Sequence, residues 1–88
     1  LYPPAWIIGR EAARDVDLGG RVPVKKGHMV AAAPWVVHRD PRWWGPDAAE
    51  FRPERFARGA PRPRPHAYFP FGIGKRACIG RSFAMLEG

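Results

Sequence analysis

Cysteine is almost absent from this chain, with one residue in 88, Cys78. A single thiol excludes an internal disulfide and leaves the redox compartment unread. Acidic residues are also few, eight against fifteen Lys and Arg, and lysine is scarce beside arginine, three against twelve. The resulting net charge of +7 suits an acidic partner, whether nucleic acid, anionic membrane or acidic protein; a solvated basic face is the plain alternative. No apolar run approaches the roughly 20 residues of a membrane span. No signal peptide is visible, although a missing N-terminus would hide one. The chain starts at Leu1 without an initiator Met and is expected to be a fragment. What is abundant is proline and glycine, eleven and ten residues, which break element interiors and argue against a compact all-helical domain. Apolar content of 45% excludes disorder by composition. A chain of this length buries only about 60–65% of its unfolded surface, so it is read as one piece of a larger core.

Leu1-Tyr2-Pro3-Pro4 looks like the exit from an upstream helix, because Pro3 and Pro4 cannot continue one. Ala5 to Arg10, with Trp6, Ile7 and Ile8, favours strand. Asp15–Leu18 and Arg21–Val24 flank Gly19-Gly20, which predicts a hairpin with a two-residue turn whose glycines supply positive φ. Pro23 confines its strand to an edge or an end. Lys25-Lys26-Gly27 is a turn, His28 to Ala33 a further strand, and Pro34 to His38 a single helical turn with Pro34 at its first position. Residues 39–70 lose all periodicity and hold seven prolines interleaved with arginines and aromatics. An irregular stretch of this length is expected only where it is packed and functional. Trp43, Trp44, Phe51, Phe56, Tyr68 and Phe69 are its candidate anchors. A helix is predicted from Ile79 to Glu87, with Ile79, Phe83 and Leu86 on one face. There are no internal repeats.

The chemistry concentrates in Tyr68-Phe-Pro-Phe71-Gly72-Ile-Gly74-Lys-Arg76-Ala-Cys78-Ile-Gly80-Arg-Ser-Phe83-Ala84. Cys78 is expected where a glycine-rich loop becomes a helix. Unsatisfied amides and the positive helix end would there favour a thiolate, the form that binds a metal. Gly72 and Gly74 let the backbone bend and approach a flat object closely. Gly80 removes a side chain that would stand against the same object, and Phe71 supplies a ring to shield the sulfur. Arg76 places a positive charge two residues before the thiol, suited to a carboxylate. A lone Cys is more often a buried, inert thiol. Thiolate, clearance, shield and carboxylate clamp together describe a haem pocket with a proximal cysteine.

The pattern Phe-x-x-Gly-x-Arg-x-Cys-x-Gly, met at Phe71, Gly74, Arg76, Cys78 and Gly80, resembles the haem-binding signature of the cytochrome P-450 family. Five such matches recur by chance about once in a few million positions. Pro70, Phe83, Ala84 and Glu87 resemble the usual extension, and Lys75 departs from the Pro of many members. Pro53-Glu54-Arg55-Phe56 resembles the family's Pro-x-Arg-Phe element. That likeness implies that Arg55 joins a charge cluster with a Glu-x-x-Arg helix ending directly before Leu1. His38-Arg39-Asp40-Pro41 also resembles a family pattern, read as structural. For the whole protein the resemblance implies a mainly α fold with a small β region, in which this chain is the C-terminal part of a single domain. Residues 5–33 then give the β region, 39–70 a meander, 69–80 the haem-binding loop and 79–88 the start of the proximal helix. It implies haem b as cofactor, with Cys78 as the catalytic thiolate and axial ligand of the iron. Phe71, Gly72, Arg76, Ile79, Gly80 and Ala84 would lie around the haem. Arg10 would hold a haem propionate, a surface Arg at a strand end being the alternative. Trp6, Ile7 and Ile8 would approach the substrate, although core packing explains them as well.

The implied reaction is reductive activation of dioxygen and insertion of one oxygen atom into a small organic substrate. Electrons would come from a ferredoxin or flavin reductase, possibly fused, docking on a basic proximal face for which Arg58, Arg62, Arg64, Lys75 and Arg81 are candidates. Peroxide-using or isomerising relatives would share the same loop. The chain alone is expected to be inactive. The Arg-rich, Lys-poor composition associates with a soluble, bacterial-like, cytoplasmic enzyme, with an N-terminal membrane anchor left open. Other readings fit less well. A kinase-type His38-Arg39-Asp40 loop needs Asn where Gly45 stands. Gly72-Ile-Gly74-Lys75 lacks phosphate-loop spacing, and one Cys with three scattered His gives no zinc spacing. A basic, Arg- and aromatic-rich nucleic-acid-binding module without haem is the rival from another class, and it leaves the cysteine motif unexplained.

Overall fold

The computed structural model describes residues 3–87. Leu1 and Tyr2, read as a helix exit, and Gly88 lie outside the described residues. Four short strands come first: β1 (Ile8–Glu11), β2 (Val16–Leu18), β3 (Val22–Val24) and β4 (Met29–Ala32). β1 pairs antiparallel with β4 and β2 with β3. Both ladders share one register. Glu11↔Met29 closes the outer ladder and Val16↔Val24 opens the inner one, with four residues on each side between them. The strands therefore form one long hairpin interrupted at its middle. Polar contacts bridge the interruption. Asp15 accepts the Lys26 amide at 2.8 Å and pairs with Lys25 Nζ at 3.2 Å, and the Gly27 amide donates to the Ala12 carbonyl at 2.7 Å.

At the hairpin tip Gly19 and Gly20 both have positive φ, 64° and 69°, as a primed turn requires. The loop differs from the expected two residues. Leu18 pairs with Val22, so Arg21 is an extra residue in the turn, its amide donating to the Leu18 carbonyl at 3.3 Å. Pro23 lies opposite Asp17 in a two-stranded ladder, where both strands are edges and a missing N–H is tolerated. Strand structure begins at Ile8 rather than Ala5, leaving Trp6 and Ile7 before β1.

Helix α1 (Pro34–Val37) is the expected single turn, with Pro34 at its start and fully buried. Within the stretch read as irregular there is a second short helix, α2 (Pro41–Trp44). Asp40 caps it, its Oδ1 accepting the Arg42 amide at 2.9 Å, and Pro41 occupies the first turn, where no N–H is needed. A 3₁₀ turn follows at Pro53–Phe56 and another at Gly74–Arg76, before α3 (Arg81–Glu87). Helix α3 starts two residues later than predicted, because Ile79 and Gly80 belong to the turn that precedes it. Gly80, not Cys78, gives the first helical carbonyl, accepting the Ala84 amide at 2.9 Å.

The irregular stretch is ordered by one aromatic group and one guanidinium. Trp44, Phe56 and Tyr68 are neighbours, with ring centroids 4.9–6.0 Å apart, and Trp44 Nε1 donates to the Val37 carbonyl at 3.2 Å. Arg55, its side chain 20% exposed, donates to the carbonyls of Trp44 at 2.9 Å and Asp47 at 2.7 Å, and pairs with Asp47 Oδ1 at 2.9 Å. Arg52 binds the other oxygen of the same carboxylate. These contacts stand in for a core. Among the described residues, only Val24 and Ala67 are buried apolar side chains, alongside Pro34. The accessible surface is 7895 Å², against about 5,200 Å² for a compact monomer of this mass. The radius of gyration is 15.2 Å, against about 12 Å for a compact domain of this length. Within this chain, most large apolar side chains have no cover.

The hydrogen bond from Arg55, then that from Arg52, holds the Asp47 carboxyl well below its ordinary 3.8, at about 2. A depressed folded value stabilises the fold above the ordinary value and loses that effect as the pH falls through the depressed one. In the full-length protein, Asp47→Asn is therefore expected to lower the denaturant midpoint most above pH 3.8. The gap to the parent should close as the pH falls to about 2. A gap independent of pH would show that the pair does not act through charge.

Candidate functional site

The cysteine loop is built by successive backbone turns. The Gly72 amide donates to the Phe69 carbonyl at 3.0 Å, and Gly72 takes φ 74°. Gly74, at φ 76°, starts the 3₁₀ turn closed by the Ala77 amide on the Gly74 carbonyl at 3.0 Å. The Cys78 amide then donates back to the Phe71 carbonyl at 2.8 Å, which closes the loop and fixes the cysteine relative to the ring two positions beyond Phe69. Phe71 is half-buried and Cys78 exposed. A Cβ on Gly80 would lie 3.7 Å from Cys78 Sγ, so glycine at this position leaves the ground beside the sulfur clear.

One end of the hairpin reaches this loop. A Cβ on Gly72 would come within 3.9 Å of Ile8 Cδ1, and within 3.8 Å of the Ala77 backbone. Strand alternation sets Arg10 on the same face of β1 as Ile8. Arg10 is exposed, and its Nη1 donates to the Gly9 carbonyl at 2.8 Å.

Phe71, Gly72, Arg76, Cys78, Ile79, Gly80 and Ala84 thus share the loop and the first turns of α3, while Arg10 lies on β1, two residues from the Ile8 that reaches the loop. Arg55 stands apart, in the aromatic group. Arg76 makes no hydrogen bond or ion pair among the described residues, and the same holds for the exposed Arg58, Arg62, Arg64, Lys75 and Arg81 side chains. Two contributors escaped the sequence reading. Asp47 had no signal, since the eight-residue gap to Arg55 follows no periodic rule. His38 was assigned only to a structural pattern, yet its Nε2 accepts the Phe69 amide at 3.0 Å across 31 residues.

Haem fits this site on two observations. No group of three or more His, Cys, Asp or Glu side chains among the described residues could hold a bare metal ion, so a single thiol suits a metal that brings its other ligands with it. The exposed residues flanking the thiol in sequence are cationic at Lys75, Arg76 and Arg81 and apolar at Ile79 and along α3. Ile79 is 102% exposed, and Phe83, Met85 and Leu86 on α3 are also open. That surface matches a large, flat, apolar group, and Arg76 is free to meet an acidic edge.

A sequence model of the cytochrome P-450 family matches residues 1–88. The chain belongs to the cytochrome P-450 family. Among curated relatives, cytochrome P-450 714A2 of Arabidopsis thaliana is 49% identical over 89 residues, covering 99% of this chain and 17% of that protein. Cytochrome P-450 734A6 of Oryza sativa subsp. japonica is 47% identical over 89 residues, covering 99% of this chain and 16% of that protein. The bifunctional cytochrome P-450/NADPH–P-450 reductase 2 of Bacillus subtilis (strain 168) is 49% identical over 87 residues, covering 99% of this chain and 8% of that protein. The chain thus spans less than a fifth of the length of these P-450 relatives. No helix among the described residues is long and apolar enough to cross a membrane.

The two positive-φ glycines of the P-450 loop give a direct test of its backbone. Gly74→Ala would meet no atom within 4 Å, and Gly72→Ala would meet only ordinary contacts. Each is expected to cost about 1–2 kcal/mol in the full-length protein, through the left-handed backbone alone, as read by denaturant unfolding. A neutral outcome at both positions would mean that the loop does not hold these turns.

Proposed function

We propose that the full-length protein is a haem-thiolate monooxygenase and that this chain supplies the proximal side of its haem b site, with Cys78 as the axial ligand. The observation that carries the reading is the exposed Cys78 thiol, on a residue whose backbone amide is held by the Phe71 carbonyl, with Gly80 leaving the sulfur clear and exposed apolar side chains following at Ile79 and along α3. When bound, a thiolate-ligated haem supplies reductive dioxygen chemistry, inserting one oxygen atom into a small organic substrate.

The chain's own residues contribute binding, orientation and shielding. Phe71, half-buried and tied by its carbonyl to the Cys78 amide, would shield the sulfur from water. Gly72, Gly80 and Ala84 keep their side chains short where a flat group must come close, and Ile79 offers it an apolar contact. Arg76 and Arg10 would meet the carboxylate edge of the cofactor. Arg10 is supported by its place on the β1 face that carries Ile8 to the loop, and it would give up its bond to the Gly9 carbonyl to do so. Arg55 locks the meander to Asp47 and keeps further guanidinium donors for a carboxylate elsewhere in the full protein. The whole protein takes the mainly helical P-450 fold, with residues 5–33 in its small β region.

Electrons reach the site from a reductase or ferredoxin. The Bacillus relative, whose name couples a P-450 to a reductase, supports a flavin-type donor, and the unpaired Arg58, Arg62, Arg64, Lys75 and Arg81 suit an acidic docking partner. Family membership lends no support to the nucleic-acid-binding alternative.

The reduced, carbon monoxide-bound full-length protein is expected to show the strongly red-shifted Soret band of thiolate ligation, and Cys78→Ser is expected to lose it. A Cys78→Ser protein that keeps the same band contradicts the assignment.

A further inference from the structure

His38 joins the end of α1 to the segment that enters the cysteine loop. Its backbone caps α1, with its amide on the Pro34 carbonyl at 2.8 Å. Its ring packs against Tyr68 at 5.0 Å and meets Phe69 edge-on at 5.2 Å. Its Nε2 accepts the Phe69 amide at 3.0 Å. A backbone N–H can only donate, so Nε2 must be unprotonated and the ring neutral, with its proton on Nδ1. From Phe69 the path to the sulfur is short. The Phe69 carbonyl holds the Gly72 amide, and the Phe71 carbonyl holds the Cys78 amide. The His38 bond is thus the outermost in a series of three that starts in a side chain and ends at the cysteine backbone.

We propose that His38 is a positioning residue for the cysteine loop, a latch that holds the Phe69 backbone, and through it the Cys78 turn, only while its ring is neutral. The inference rests on the reading of Cys78 as the haem ligand. An imidazolium has no lone pair to offer, so protonation sets an N–H against the Phe69 N–H and leaves that amide without its acceptor. The groups around the ring favour the neutral form. Burial, then the neighbouring Arg39 charge, pushes the His38 pKa below the ordinary 6.5. Beyond Arg39, the titratable side chains lining the same cleft are Glu50, Arg52, Arg55 and Tyr68. Arg52 and Arg55 are both engaged with Asp47, and Glu50 is the one carboxylate of the lining. With a lowered folded value the latch is complete above 6.5 and opens as the pH falls through that lowered value.

The full-length holoprotein, reduced under carbon monoxide and titrated from neutral to acid pH, tests this. In the parent the thiolate-type Soret band should be lost with a midpoint below 6.5. His38→Gln keeps an acceptor that does not titrate, and its midpoint should fall by at least about one pH unit. His38→Phe keeps the ring packing without an acceptor. Its band should already be diminished at neutral pH, and its Phe69 amide should exchange about tenfold faster than the parent's. Equal midpoints in the parent and His38→Gln would overturn the latch, as would a His38→Phe protein with the parent's band and Phe69 protection. Amide exchange is read independently of the iron. A parent with no thiolate band at any pH would therefore sink the Cys78 assignment, while the exchange comparison still decides whether His38 holds the loop.

Discussion

A metal-binding thiol must be presented at a surface without the freedom to turn away from it. For Cys78, the proposed ligand, the backbone meets that constraint. The Cys78 amide is tied to the Phe71 carbonyl at 2.8 Å, and the loop between them can close only because Gly72 and Gly74 take positive φ, 74° and 76°. Three further features depend on that closure. It sets Gly80 beside the sulfur, leaves Ile79 and the open face of α3 next to it, and brings the loop up against Ile8 at the base of the hairpin. A shift of this turn would disperse the residues that the site needs, which are tied to one another through the backbone and not through their side chains.

The loop is held from outside by the meander. A stretch with seven prolines has few backbone hydrogen bonds to offer, and its order comes from side chains that reach across it. The Arg55 fork on Trp44 and Asp47 fixes one bend, the ring group of Trp44, Phe56 and Tyr68 fixes the next, and His38 ties the last to Phe69. The excess surface of the chain fits the same picture. The ladders and turns are complete within the chain, whereas the exposed apolar side chains of α3 are left for partners beyond the contacts described.

Legibility from sequence divided along the range of the interactions. The loop could be read because its determinants are local: glycines where φ must be positive, an arginine and a thiol at fixed offsets. The Gly19-Gly20 tip was readable for the same reason, and its extra residue, Arg21, was not, because the register is set by the strands and not by the turn. Helix α2 is too short to show a period, and only Asp40-Pro41 marked it. The start of α3 was placed two residues early because Ile79 fits the apolar face of the helix while standing in the turn before it. The β1–β4 ladder, the Asp47–Arg55 pair and the His38–Phe69 bond join residues 8 to 31 positions apart, and no local pattern announces them.

The central claim concerns one bond, between Cys78 and iron, and X-ray absorption at the iron edge of the resting full-length protein reads it most directly. One sulfur neighbour is expected at the iron in the parent, replaced by a light atom in Cys78→Ser. A parent iron with only nitrogen and oxygen neighbours, or a sulfur neighbour that survives the substitution, would contradict it.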